Sequence, residues 1–247
     1  MNKRDYKNLI YKWIEKEKDR TCSSESQKRY VQGHSKRFEH LFNFITTRYK
    51  NKDLKILDIG KSSLTLKLNE YYHSITSLGF SDDIDQGGHK IDVLEAIPHI
   101  SFDLNQSKNV EKWPIEKFDL IIFSEVIEHL SKAPEFALLF LHSLLNDNGH
   151  VICTTPNAAA IFRRFKLLQG YNPYARIRFY NENPGHYREY TKKELTQMGN
   201  ECGFEIVYHN FISFNSQITN IKSAIVEFVT NLIPSFKWSQ IIIYKKK

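Results

Sequence analysis

Two glutamates and a histidine follow directly on an apolar run in FDLIIFSEVIEHL, residues 118–130. Glu125, Glu128 and His129 stand at i, i+3 and i+4, so a helix starting there would gather them on one face. Carboxylates beside an imidazole suit two kinds of chemistry. They ligate a divalent metal such as Mg2+, Mn2+ or Zn2+, or the imidazole takes up a proton near neutral pH. The ordinary alternative is a helix start whose polar groups bond their neighbours. The apolar run itself, Leu120 to Phe123, reads as a buried strand. Polar groups just past the carboxyl end of a parallel strand lie where open α/β sheets hold ligands.

The elements that must position this cluster follow from hydrophobic periodicity. KILDI (55–59), SITSLGF (74–80), HISFDL (99–104), FDLIIF (118–123), HVICTT (150–155), FEIVYHNFI (204–212) and SQIIIYK (239–245) read as strands. Helices are expected over 64–72, 134–145 and 191–202, with an amphipathic helix before the last strand. Its apolar residues, Ile225 through Ile233, are expected to pack on the sheet rather than lie on a membrane surface. Helices over 3–18 and 34–50 precede the first strand, the second starting at Ser35, with TCSSESQ (21–27) as a loop between them. Strands alternating with helices predict a mostly parallel sheet covered on both faces.

Composition sets the bounds. A chain of 247 residues, 41% hydrophobic and 26% charged, can bury one sizeable core. No run approaches the ~18 apolar residues of a membrane span. The first residues, MNKRDYKNLIYKWIEKEK, are too charged for a signal peptide. Cys22, Cys153 and Cys202 have no metal-binding spacing, and a reduced, cytoplasmic protein is expected. The net charge of +7 is unevenly spread. Residues 1–50 carry +7, residues 51–156 carry −7, residues 157–190 carry +4 and residues 191–247 carry +3. An acidic centre flanked by basic segments suits a cationic cofactor and an anionic acceptor.

The turn after the first strand, D-I-G-K-S-S from Asp58 to Ser63, has one glycine where a dinucleotide fingerprint has two or three. With the acidic loop SDDIDQGG (81–88), FDLN, FDLIIFSEVIEHL and NDNGHVICTTPN, it resembles the class I S-adenosylmethionine-dependent methyltransferases over residues 40–212. The resemblance implies an α/β fold: a Rossmann-like, doubly wound seven-stranded sheet, mostly parallel with the last strand antiparallel. It implies a methyltransferase domain over 51–247, an N-terminal helical extension over 1–50, and an insert at about 157–190 that covers the substrate. Asp58 and Gly60 match the loop that meets the methionine portion of S-adenosylmethionine. Lys61 and Ser62 depart from the family's glycines there, and a Cβ narrows the close approach. Asp82, 22 residues after Gly60, is taken over Asp83 as the ribose-binding carboxylate. Asp103 and Leu104 match the adenine contact. Ser124 and Glu125 match the strand-four motif facing the methyl group.

The E-x-x-E-H pattern resembles small-RNA 3′-end 2′-O-methyltransferases and ubiquinone-pathway O-methyltransferases, which use a metal at this position. There a later histidine completes the set, and His186 in GHYREYTKKEL is placed comparably. The implied metal ligands are Glu125, Glu128, His129 and His186; in the metal-free alternative His129 or His186 is the base. The insert interleaves arginines with tyrosines and phenylalanines, which suits phosphates, sugars or stacked bases. Similar TPN and H-Y-R-E-Y-T segments occur in bacterial methyltransferases of surface-polysaccharide and secondary-metabolite pathways. The expected function is O-methylation of a hydroxyl on a sugar-containing or phosphorylated acceptor, a small molecule or an anionic glycan, with Glu125, His129 and His186 binding or deprotonating it. Two other readings stand beside it. One is metal-dependent 2′-O-methylation of an RNA 3′ end. The other, raised by Lys61 and Ser62, is a methyltransferase fold that binds a partner without catalysis.

Overall fold

A computed structural model describes residues 5, 7, 8, 10–12, 24–80, 96–179, 185–214 and 221–247. The chain runs α1 (Ser24–Arg48), β1 (Lys55–Ile59), α2 (Ser63–Tyr71), β2 (Ser74–Gly79), β3 (His99–Ser101), β4 (Phe118–Ser124), α3 (Pro134–Leu144) and β5 (Leu145–Pro156). It continues with α4 (Ile161–Leu168), α5 (Lys192–Glu201), β6 (Phe204–Ile212), α6 (Ile221–Leu232) and β7 (Ser239–Lys246). Seven strands form one sheet in the order β3-β2-β1-β4-β5-β7-β6. β1 pairs in parallel with β2 and with β4, whereas β7 runs antiparallel to β5 and β6. The strand order reverses between β1 and β4. Their carboxyl ends therefore frame a crevice at the topological switch point.

Alternation along the strands decides which helix covers which face. On one face Ile56, Leu120, Ile122, Ile152, Ile241 and Ile243 pack under Phe38, Leu41 and Ile45 of α1 and Leu64 and Leu68 of α2. On the other, Leu57, Ile121, Phe123, Val151, Cys153 and Ile242 pack under Leu138, Leu141 and Leu144 of α3 and Leu195 and Met198 of α5. Central strands buried on both sides read as nearly continuous apolar runs, which is why KILDI and FDLIIF are legible as strands.

Four expectations shift. Helix α1 begins at Ser24, so Ser24–Gln27 are helical rather than loop and Ser35 lies inside the helix. No proline interrupts this stretch, and a serine alone does not stop a helix that packing extends. β5 begins at Leu145, directly after α3, and runs to Pro156. β3 stops at Ser101, because Asp103 caps a 3-10 turn over Leu104–Gln106. Finally, α6 does not bury its apolar stripe. Ile225, Phe228 and Leu232 are 57, 66 and 67% exposed. The sheet faces they would cover are already taken by α1 and α2 and by α3 and α5. In the first expected helix, positions 5, 7, 8 and 10–12 are helical.

Helix α5 approaches β7 closely. The fully buried Tyr244 donates its hydroxyl to the Leu195 carbonyl at 3.0 Å. A Cβ added at Gly199 would fall 2.7 Å from Tyr244 Cδ1 and 2.9 Å from Ile206 Cδ1. Gly199→Ala is therefore expected to cost about 1–3 kcal/mol through overpacking. Urea or thermal unfolding checks this, and a change within about 0.5 kcal/mol, the range of surface substitutions, would contradict the packing described.

Candidate active site

The turn between β1 and α2 is held by a short relay of hydrogen bonds. The backbone N–H of Ser62 donates to Thr65 Oγ1 at 2.9 Å, and the Thr65 hydroxyl donates to Asp58 Oδ2 at 2.6 Å. Ser62 Oγ accepts from the N–H of Leu64 at 3.1 Å and so caps α2. The Ser62 hydroxyl is thus spent on the helix end. Gly60 donates its N–H to the Leu78 carbonyl at 2.7 Å. Its φ of 91° lies in the left-handed region that a Cβ disfavours. A Cβ built at Gly60 meets nothing within 4 Å, and one at Gly79 comes 3.9 Å from the Gly60 Cα. Two bare glycines at adjacent strand ends leave open space where a ligand's chain can approach backbone. Lys61 is half-buried beside them. Burial pushes the Asp58 carboxyl up to about 7, against the opposing hydrogen bond from Thr65.

Asp103 follows β3 and caps the turn beyond it. Its Oδ1 accepts from Asn105 N at 2.9 Å and Asn105 Nδ2 at 3.2 Å. Asn105 Oδ1 in turn accepts from Ser131 N and Ser131 Oγ at 2.8 and 2.9 Å. This ties the rim after β3 to the rim after β4. Leu104 is buried in the core beneath it. Asp82 lies outside the described residues, as does the loop SDDIDQGG.

At the end of β4 the expected helix turn does not form. Glu125 adopts a φ of 55°, uncommon for a residue with a side chain, while its N–H donates to the Thr154 carbonyl at 2.8 Å. Ser124 Oγ lies 2.9 Å from Thr154 Oγ1. A single 3-10 turn over Ile127–His129 follows. The kink separates the two glutamates. Glu125 Oε2 lies 3.5 Å from Arg37 Nη1, contributed by α1, and both side chains are largely buried. Glu128 is fully buried; its Oε2 accepts from the Thr155 hydroxyl at 2.9 Å, and its Oε1 has no partner among the described residues. Burial raises both carboxyl pKa values; Arg37 opposes the rise at Glu125, and the Glu125 charge adds to it at Glu128.

The insert brings the second half of the cluster. Glu128 accepts backbone hydrogen bonds from Tyr187 and Arg188 at 2.8 and 3.3 Å. His129 Nδ1 donates to the Gly185 carbonyl at 3.0 Å, which leaves Nε2 as the ring's acceptor. Crowding by protein atoms, then the neighbouring His186, hold its pKa below the ordinary 6.5, although the residue as a whole remains exposed. The His129 and His186 rings meet edge to face at 4.7 Å. His186 Nδ1 contacts Glu189 Oε1 at 3.1 Å, and Glu189 also pairs with Arg163 of α4. One ligand atom each from Glu128, His129 and His186 lie within 4.8 Å of one another. Three of the four expected metal ligands are therefore assembled. Glu125 stands outside this group, turned to Arg37.

The glycine turn after β1 and the carboxylates and imidazoles after β4 flank the topological switch point, and that placement fits the comparisons with known proteins. A family model described as a methyltransferase domain matches residues 30–209. The chain belongs to the class I S-adenosylmethionine-dependent methyltransferase family. Solved structures agree on the fold. A SAM-dependent methyltransferase from Archaeoglobus fulgidus is 14% identical, with a TM-score of 0.56 over 88% of this chain and 99% of that one. Magnesium protoporphyrin IX methyltransferase from Synechocystis, solved with bound SAH, is 16% identical, with a TM-score of 0.57 over 91% and 89%. The N-methyltransferase NodS from Bradyrhizobium japonicum is 15% identical, with a TM-score of 0.53 over 86% of each chain. No curated protein matches by sequence.

In this methyltransferase three residues at the site are not singled out by the sequence. Arg37 sits 88 positions before Glu125 on a helix that reads only as amphipathic. Glu189 lies inside the GHYREYT segment, three residues after His186, and that spacing was the available clue. Asn157 is a third. It is buried, its Nδ2 donates to the carbonyls of Ser235 and Lys237 at 2.8 Å, and it fixes where the insert leaves the sheet.

Asp58 yields a pH prediction. Its carboxyl holds a proton more tightly folded, at about 7, than at its ordinary 3.8. Its contribution to stability is therefore complete below the lower value and is lost as pH rises through the upper one. Relative to Asp58→Asn, the wild-type chain should lose unfolding free energy between about pH 4 and pH 7. Urea unfolding of both proteins across that range checks it, and a difference independent of pH would contradict it.

Proposed function

We propose that this methyltransferase O-methylates a hydroxyl of a sugar-containing or phosphorylated acceptor, with His186 taking the hydroxyl proton. The observation that carries this reading is the His186–Glu189 contact at 3.1 Å beside the edge-packed His129. A hydroxyl must lose its proton as its oxygen bonds to carbon. An imidazole whose Nδ1–H is held by a carboxylate presents Nε2 as the acceptor, and the carboxylate steadies the resulting imidazolium. Arg163, paired with Glu189, holds that carboxylate in place. Bound S-adenosylmethionine supplies a methyl carbon on a cationic sulfonium that departs as a neutral thioether. Asp58 at the end of β1 and Gly60, Lys61 and Ser62 of the turn after it would hold its methionine portion; Asp103 and Leu104 would hold the adenine side. Ser124 and Glu125 would face the sulfonium. A positive charge there favours ionised Glu125 and Glu128, whose pKa values burial raises. The arginine-rich insert favours an anionic acceptor.

A second reading is favoured by the orphaned Glu128 Oε1. With His129 and His186 it forms a carboxylate–imidazole set that suits Zn2+ or Mn2+. A metal there would orient the hydroxyl and lower its pKa. The RNA-end alternative asks for a fourth ligand from Glu125, which pairs with Arg37 instead.

One assay separates these readings. Transfer of labelled methyl from S-adenosylmethionine to a panel of sugar phosphates and glycans is measured for wild type, His186→Ala and Glu189→Gln, with and without chelator. The base mechanism predicts kcat losses of about 10²–10⁴ for His186→Ala and smaller ones for Glu189→Gln, at unchanged cofactor affinity. Unchanged turnover after complete metal removal would eliminate the metal. Unimpaired His186→Ala would eliminate the base.

A further inference from the structure

Among the described residues, the methyltransferase leaves large apolar side chains exposed on the two helices that flank the segment 234–238. Ile225, Phe228 and Leu232 of α6 are spaced i, i+3 and i+7 and stand exposed. On α4, Phe165 is 57% and Leu168 82% exposed. The two helices share one connector. Phe162 of α4 stacks on Trp238 at 5.0 Å, and the Arg164 guanidinium lies 5.0 Å over the Phe236 ring, just past the end of α6. Monomeric soluble proteins seldom leave large apolar side chains clustered this way without an occupant.

Charge selects the occupant. Residues 157–247 hold 13 Lys/Arg against 6 Asp/Glu. A cavity of about 840 Å³, mostly apolar in its lining and carrying Arg164, Lys192 and Lys193 against the one acidic group Glu201, opens beside the connector. Pressing a second copy onto this face would set like charges against each other, whereas anionic lipid headgroups would neutralise them. We propose that the face formed by α4 and α6 docks on an anionic lipid bilayer, with Phe165, Leu168, Phe228 and Leu232 entering the headgroup region and the basic cavity receiving phosphate. Apolar insertion and basic attraction are each weak alone, and together they hold a protein at a surface. Arg163, two residues before Phe165, reaches Glu189 and through it His186. The transfer site thus lies close to the lipid, and an acceptor carried in the bilayer would reach it. That last point rests on the proposed methyl transfer; the docking does not.

Flotation of the full chain with vesicles tests the docking without cofactor or acceptor, so it succeeds or fails independently of catalysis. The chain should float with equimolar phosphatidylcholine and phosphatidylglycerol and stay behind with phosphatidylcholine alone. Leu168→Asp with Phe228→Asp, and separately Lys192→Glu with Lys193→Glu, should each weaken partitioning at least about tenfold at an unchanged melting temperature. Failure of the wild-type chain to float with anionic vesicles would overturn the proposal. So would binding indifferent to the aspartate pair, or a dimer in sedimentation equilibrium that the aspartate pair dissolves.

Discussion

The hydrogen-bond relay from the Ser62 N–H through the Thr65 hydroxyl to the Asp58 carboxyl is the contact on which the site depends. It joins the last buried turn of β1 to the first turn of α2. It therefore sets where the chain reverses and where Gly60 exposes its backbone. Asp58 and Thr65 are both buried, so neither group has water as a substitute partner, and breaking the relay would leave polar atoms unsatisfied. Beside the relay, the Ser62 hydroxyl caps α2 through the Leu64 N–H, and a Cβ built at Gly60 meets nothing within 4 Å.

The opposite rim is built by strain and charge. Glu125 in the left-handed region costs about 1–2 kcal/mol, offset by its backbone bond to Thr154 and its pairing with Arg37. The kink turns Glu125 toward α1 and lets Glu128 run back to Thr155. One short segment thus supplies carboxylates to two places. The insert closes over it through backbone bonds from Tyr187 and Arg188 to Glu128. Such local departures from favoured backbone geometry recur at functional sites, where the surrounding packing holds them.

The strands were legible because a sheet buried on both faces demands apolar runs, and KILDI, FDLIIF and SQIIIYK can bury nowhere else. The place of the turn at Gly60 was legible for the same reason, since it follows from the end of the first strand. The shared helix face expected for Glu125, Glu128 and His129 does not form, because helical spacing says nothing where one residue takes a positive φ. Arg37 was invisible, since its partner is fixed by how α1 lies across the sheet. The exposed stripe of α6 was misassigned for a related reason: amphipathicity shows that a face is apolar but not whether the sheet has a vacancy for it.

The account stands on the bare backbone of Gly60 at the switch between β1 and β4. Calorimetric titration with S-adenosylmethionine and with its demethylated product tests it most directly, on the wild-type chain and on Gly60→Val. The wild-type chain should bind both with measurable heat, and Gly60→Val should lose that heat while still unfolding cooperatively, at lower denaturant because a Cβ is strained at a φ of 91°. Absence of heat from the wild-type chain at millimolar ligand, or undiminished binding by the valine variant, would contradict the placement of the cofactor over Gly60.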